Sequence, residues 1–218
     1  MPRKFDISKL PDSPDLAFEQ ELWQKGFLYV AGIDEAGRGA LAGPVFAAAV
    51  ILPFAQPDLI QTLAGVDDSK KLTPSQREHW ATHIPNIALS CEVASASAEE
   101  IDQIGILPAT RLAAKRAVES LTVTPNHLLL DYIRLPVVNI PQTPLVKGDA
   151  RSLSIAAASI LAKTARDAHL LALDKQFPEY SFSAHKGYGT PEHLTALEKL
   201  GPTPIHRRTF SPLRPRLL

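Results

Sequence analysis

Two adjacent carboxylates, Asp34 and Glu35, close an apolar run from Tyr29 to Ile33 and are followed at once by Gly37, Arg38 and Gly39. Neighbouring acids repel each other, and a site that crowds them is stable only with a proton or a metal ion among them. Glycines let the backbone approach a ligand closely with its N–H groups free to donate. The combination points to cations and phosphates; taken alone, it reads equally well as a solvated turn. Two further acids stand where apolar structure gives out or where a helix faces a sheet. Asp131 ends the short apolar stretch His127-Leu-Leu-Leu130, and Asp167 follows Lys163 by one turn and Ile160 by two on a long helix, hence on a side that packs. Four carboxylates suit two Mg²⁺ or Mn²⁺ ions, which take oxygen ligands and keep waters for a phosphate. Such a pair can clamp the attacking and leaving oxygens of an in-line phosphate displacement. Asp131 and Asp167 could each equally be an ordinary loop or helix acid.

The elements that would mount these residues follow from periodicity and punctuation. Residues 1–14, with Pro2, Pro11 and Pro14, read as a loose arm, and 15–25 as a short helix ended by Gly26. Strands are expected over 28–33, over 44–52 entered by Pro44, over 87–95, and over 127–130, whose unbroken apolar character suggests a central place. The first two, joined by a short link, should be antiparallel neighbours. Helices are expected over 75–83, 98–104, 109–121, 152–177 (stopped by Pro178) and 191–200, with 53–74 a loop and 134–146 a proline-broken excursion. Strands first and then strands alternating with helices make an α/β protein with a mixed sheet. The division expected is an arm and short helix over 1–27, a catalytic domain over 28–178, and a small helical C-terminal segment with a basic tail over 179–218.

Composition narrows the setting. The chain has 218 residues, 45% hydrophobic and 21% charged, the profile of a globular protein with a real core. The longest apolar run, Val45 to Leu52, is too short to span a bilayer, and no apolar signal core follows the N-terminus. The lone Cys91 rules out an internal disulfide and suits a reducing compartment, so a cytoplasmic location is expected. Net charge is zero, but Lys199, Arg207, Arg208, Arg214 and Arg216 have no acid among them, which fits a polyanion surface or a solvated tail. Gly37-Arg-Gly-Ala-Leu-Ala42 matches a dinucleotide fingerprint but leads into Gly43-Pro44 and a β-rich run rather than a helix. Asp34-Glu-Ala-Gly37 has no phosphate-binding loop to serve, and His79 and His83 lack the Glu that follows the first His of a zinc-binding helix and any Cys cluster.

Ile33-Asp-Glu-Ala-Gly-Arg-Gly39 closely resembles the signature of the ribonuclease HII (type 2 ribonuclease H) family. The resemblance continues in order through Asp68-Ser-Lys-Lys-Leu72, Leu130-Asp131, Lys147-Gly-Asp149, Ala157 to Asp167, His185-Lys-Gly-Tyr-Gly-Thr190 and His206 to Pro212, nearly the whole chain from residue 28. It implies the ribonuclease H fold, a mixed five-stranded sheet flanked by helices with a small helical C-terminal segment. The family's catalytic and metal-holding acids map onto Asp34, Glu35, Asp131 and Asp167, with Mg²⁺ or Mn²⁺ as cofactor. Gly37, Arg38 and Gly39 resemble its sensor of the ribose 2′-hydroxyl, the group that separates RNA from DNA. Tyr188 would stack on the deoxyribose beyond an RNA–DNA junction, and Arg38, Lys147, Lys186 and the basic tail would hold phosphates. The implied activity is hydrolysis of the RNA strand of RNA–DNA hybrids and incision beside ribonucleotides embedded in duplex DNA, leaving 3′-hydroxyl and 5′-phosphate ends. Tyr132 stands where the family usually has glycine after its third acid, and a bulky ring there could crowd the second metal or the incoming strand, which bears on the geometry of Asp131. The alternatives are a non-catalytic hybrid-binding module and another carboxylate-metal nuclease of this fold, resolvase- or integrase-like. The tail lacks a sliding-clamp peptide pattern, and a monomer is expected.

Overall fold

The computed structural model of the chain describes residues 10–214. The expectations for residues 1–9, Pro2 among them, and for Arg216 in the tail lie outside the described residues. The elements in chain order are α1 (Ala17–Gln24), β1 (Val30–Ala36), β2 (Val45–Ile51), α2 (Leu59–Thr62), α3 (Pro74–Ile87), β3 (Ser90–Ala96), α4 (Ala98–Ile104), α5 (Ile106–Ser120), β4 (His127–Asp131), β5 (Gln142–Leu145), α6 (Leu153–Asp174), α7 (Phe182–His185) and α8 (Pro191–Leu200).

One mixed sheet of five strands carries the order β3-β2-β1-β4-β5. β1 pairs antiparallel with β2, which pairs antiparallel with β3, while β1, β4 and β5 run parallel. The alternation along β2 explains its unbroken apolar run, because both faces are covered. Val45, Ala47, Ala49 and Ile51 pack against α5 with Ala31 and Ile33 of β1. Ala48, Val50 and Leu52 face the other way, onto α6 and α3. The three consecutive alanines keep side chains short where helices press on both faces. β1 comes closer still to α6: a Cβ on Gly32 would overlap the backbone of Ser154.

Four features differ from the sequence expectation. β1 runs through Ala36, so Asp34 and Glu35 lie within the strand, paired opposite Ala48 and Ala47, rather than beyond its end. The excursion over 134–146 contains the edge strand β5, which tolerates Pro144 because an edge strand leaves one row of backbone groups unpaired. The loop over 53–74 contains α2, whose Leu59 is buried in the core on the α6 side. α3 continues past residue 83 to Ile87, with Pro85 in its last turn.

α1 closes the N-terminal end of α6. Glu19 is fully buried, and one carboxylate oxygen accepts from Ser152 Oγ (2.6 Å), Ser154 Oγ (2.6 Å) and Ser154 N–H (2.9 Å). An acid is stabilised there because the first N–H groups of a helix have no partner within the helix; burial nevertheless pushes the Glu19 pKa up. At the opposite end of α6, Leu170 and Leu173 pack with Leu41, Ala42, Tyr180, Phe182 and Leu197, which joins the C-terminal segment to the β1–β2 loop.

Candidate active site

The parallel register of β1 and β4 ends at Ile33 beside Leu130, which brings Asp34 and Asp131 level on adjacent strands. Asp34 is buried, and its Oδ1 accepts the Glu35 N–H at 2.7 Å. Burial, then the charges of Glu35 and Asp131, push its pKa well above the usual carboxylate range. Glu35 is also pushed up by burial, against the opposing pull of Arg38, whose Nη1 lies 3.1 Å from its Oε1. Asp131 is raised by burial and by the charge of Asp149, while its Oδ1 accepts the Gly148 N–H at 2.8 Å. Asp34, Glu35 and Asp131 are thus brought together.

Asp149 joins them, a residue the sequence reading passed over. It lies in a 3-10 turn (Gly148–Ala150) between β5 and α6, is buried, and acts electrostatically on both Asp34 and Asp131. Its Oδ2 lies 3.3 Å from Lys70 Nζ, and its Oδ1 is buried without a partner. Burial alone would lower the Lys70 pKa, but the charges of Asp68, Asp149 and Asp34 overrule it and push it up. The signal that could have found Asp149 is positional: an acid at the mouth of the longest helix, within the quoted Lys147-Gly-Asp149 motif.

Asp167 lies elsewhere. Gly32 packs against Ser154 and Ile155, and Gly37 against Arg166, so α6 runs beside β1 in the same direction. At ~3.3 Å per strand residue and ~1.5 Å per helix residue, Asp34 is level with Ser159 and Asp167 lies roughly 12 Å farther on. There Asp167 is paired with Lys163 (2.6 Å) and Arg77 (3.7 Å) and lines a separate hollow with Lys186 and Glu78. Its charge is already answered. Among the described residues, no three His, Cys, Asp or Glu side chains form a ready-made metal cage. The donor set of Asp34, Glu35, Asp131 and Asp149 nevertheless fits divalent cations: all oxygen, mutually repelling, and with one buried oxygen unpartnered.

The Gly37-Arg38-Gly39 loop rests on two buried arginines. Gly37 has φ +92°, and a Cβ there would overlap the Arg166 side chain. Arg166 donates to the carbonyls of Pro44 (3.2 Å), Lys186 (3.0 Å) and Ala42 (3.1 Å). Arg207 donates to those of Gly43 (3.0 Å) and Arg38 (2.9 Å). Burial, then the charge of Arg166, push the Arg207 pKa down to about 9. Arg207 is therefore an internal strut, a correction to its expected place among exposed tail charges. Arg208 is exposed, its N–H on Asp102. Tyr188 is exposed, with the Arg166 guanidinium 5.3 Å and Lys163 Nζ 6.0 Å from its ring centroid. Lys186 lines the hollow with Asp167, its ammonium on the Ser183 carbonyl, and Lys147 acts electrostatically on Asp131. Tyr132 is 71% exposed, so its side chain lies largely in solvent.

Three histidines hold the Tyr188 turn from beneath. His206 Nδ1 accepts the Thr203 N–H (2.9 Å), which leaves its Nε2–H to donate to His193 Nε2 (3.0 Å). His193 Nδ1–H then donates to the Tyr188 carbonyl (2.9 Å), and His185 Nδ1 accepts the Gly187 N–H (3.2 Å). Burial, then the charge of His193, push the His206 pKa down to about 4. The unfolded chain therefore takes this proton near pH 6.5 and the folded one near 4, so stability is full above 6.5 and is lost as pH falls to about 4. A thermal unfolding series from pH 7 to 4.5 is expected to fall more steeply for the wild type than for His206→Asn.

The family model described as Ribonuclease HII matches residues 31–212. The chain belongs to the ribonuclease HII family. A ribonuclease HII of Desulfitobacterium hafniense (strain Y51) is 54% identical over 199 residues, 91% of this chain and 75% of that protein. The ribonuclease H2 from Pyrococcus horikoshii OT3 superposes with a TM-score of 0.72 at 27% identity, covering 85% of this chain and 95% of that one. The ribonuclease HII of Archaeoglobus fulgidus, solved as a PCNA complex, gives 0.70 at 28% identity, covering 87% and 98%. With the family come the ribonuclease H-like fold and the activity: a metal-dependent endoribonuclease of the ribonuclease H type that acts on RNA–DNA hybrids. Among the described residues no helix is long and apolar enough to cross a membrane.

Proposed function

We propose that Asp34, Glu35, Asp131 and Asp149 hold two divalent ions, Mg²⁺ or Mn²⁺, at which the RNA strand of hybrids is cut and duplex DNA is incised beside embedded ribonucleotides. The observation that carries this assignment is the convergence of Asp34 and Asp131 at level positions on adjacent strands with the Gly148–Ala150 turn, whose Gly148 N–H donates to Asp131 and whose buried Asp149 has an unpartnered oxygen. Such ions, when bound, polarise a phosphate and activate water. Asp34, set in the strand and braced by the Glu35 N–H, supplies the central carboxylate. Gly148 N–H orients Asp131, and Lys70 orients Asp149. Lys70 and Lys147 bring positive charge to the locus, where a phosphate is held.

Specificity for ribose is assigned to the Gly37-Arg38-Gly39 loop, whose backbone is fixed by Arg166 and Arg207 so that a 2′-hydroxyl meets groups already in place. Tyr188, braced by the histidines and lying over Arg166, offers a ring face to the sugar beyond the junction. Asp167 pairs with Arg77 and with Lys163, whose Nζ lies 6.0 Å from that ring's centroid, and is assigned no ion. The test is cleavage of a duplex carrying one ribonucleotide, in Mg²⁺ or Mn²⁺, with the cut mapped at nucleotide resolution. The expected products end in 3′-hydroxyl and 5′-phosphate beside the ribonucleotide. Equal cutting of an all-DNA duplex or of branched DNA would favour a resolvase-like reading instead.

A further inference from the structure

Glu19 of α1 is fully buried, where an apolar side chain would pack at less cost than a carboxyl group. Among the described residues its Oε2 has no hydrogen-bond partner. Its other oxygen gathers three donors: Ser152 Oγ (2.6 Å), Ser154 Oγ (2.6 Å) and Ser154 N–H (2.9 Å). These donors share a position, the start of α6 directly after the Gly148–Ala150 turn that bears Asp149. Ser152 ties turn and helix together: its N–H donates to Gly148 O at 2.9 Å, and its Oγ accepts the Ile155 N–H at 3.3 Å. A second tie runs beside it, since Leu153 N–H donates to Asp15 O at 2.8 Å and Asp15 N–H to Arg151 O at 3.3 Å. Gly148 in turn donates to Asp131 Oδ1 at 2.8 Å. A Cβ on Gly148 would come within 2.7 Å of Ile155 Cδ1 and 3.4 Å of Asp131 Cα, so the turn is wedged between helix and strand.

We propose that Glu19 is a positioning residue for the metal centre: by fixing the first turn of α6 it holds the Gly148–Ala150 turn, and with it Asp149, in place beside Asp34 and Asp131. The inference rests on the reading of Asp149 as a metal ligand. A ligand carboxylate must be held to about half an ångström, and a three-residue turn is a poor mount by itself. Three donors converging on one buried oxygen supply the missing rigidity, because hydrogen bonds strengthen one another where water is excluded. A group that orients a ligand without touching the ion acts on metal affinity. The helix α1, which the sequence sets apart from the catalytic domain, thereby belongs to its metal centre.

The test measures the Mn²⁺ dissociation constant of the full chain without nucleic acid, from the electron paramagnetic resonance signal of free Mn²⁺. It compares the wild type, Glu19→Met, Ser154→Ala and Leu197→Ala, with thermal unfolding of the same samples. Methionine fills the volume of glutamate without accepting the three donors, so Glu19→Met is expected to weaken Mn²⁺ binding about tenfold. Ser154→Ala removes one donor and little volume, and a loss of about threefold is expected. Leu197→Ala hollows the C-terminal cluster instead, and should lower the unfolding midpoint while leaving Mn²⁺ affinity at the wild-type value. Wild-type Mn²⁺ affinity in folded Glu19→Met would overturn the inference, as would wild-type affinity in Ser154→Ala should Glu19→Met not fold. So would an equal loss of affinity in Leu197→Ala, the mark of general destabilisation. Failure of the wild type to bind Mn²⁺ at all would overturn the reading of the acidic locus, and this inference with it.

Discussion

Asp149→Asn is expected to lower kcat for hybrid cleavage about a thousandfold, the several kcal/mol of transition-state stabilisation that a misassembled metal site forfeits. Asp167→Asn is expected to cost less than about tenfold, because that acid works through its neighbours and not on the reacting phosphate. The contrast follows from position. Asp149 is buried, raises the pKa of Asp131 and contributes to that of Asp34, and has one oxygen without a partner. Asp167 is met by Lys163 and Arg77, and Lys186 lines the same hollow. Asparagine is nearly isosteric with aspartate, so both variants should fold; single-turnover rates at saturating Mn²⁺ separate them. Comparable losses in the two variants would mean that Asp167 reaches the centre after all.

Arg166→Met should have the second-largest effect, on stability and on discrimination between ribose and deoxyribose. Methionine fills much of the volume but leaves the carbonyls of Ala42, Pro44 and Lys186 without the donor they now share. Each buried carbonyl so abandoned costs about 1–3 kcal/mol, so a total of about 4 kcal/mol is expected, a large part of a typical folding free energy. For a chain of this length that is a fall of about 10 °C in the unfolding midpoint. Gly37 rests on the same side chain, so the loop loses its floor. At a temperature where the variant is folded, the preference for a ribonucleotide-containing duplex over all-DNA should narrow. Arg166→Lys should restore little, since an ammonium cannot address three carbonyls in the directions a guanidinium does.

The parts of the fold that were legible in the sequence are those whose pattern is local. The apolar run of β2, the short central β4 and the small-residue first half of α6 each announced their place, and strand pairing put Asp34, Glu35 and Asp131 together. β5 was hidden because it is four residues long and carries Pro144, which reads as a breaker and is harmless only at an edge. Asp149 was hidden because what makes it part of the site is the approach of three separate segments, those of Asp34, Asp131 and Lys70, to one turn. Asp167 attracted attention through helical spacing, which fixes the face of a helix a residue occupies but not its height along a neighbouring strand. Arg166 and Arg207 look like surface charges, since nothing in their neighbourhood foretells that the carbonyls of residues 42–44 turn inward to meet them. The same inward turn gives Gly187 its role, since a Cβ there would come within 2.7 Å of Ala42 O.

The central claim is that the acids of β1, β4 and the turn before α6 share one pair of ions. Crystals grown in Mn²⁺ test it most directly, through anomalous difference density. The account predicts peaks in contact with carboxylate oxygens of Asp34 and Asp149, reduced or lost in Asp149→Asn and retained in Asp167→Asn. A peak held by Asp167, or Mn²⁺ bound by Asp34 with Asp149 still on Lys70 and out of contact, would contradict it.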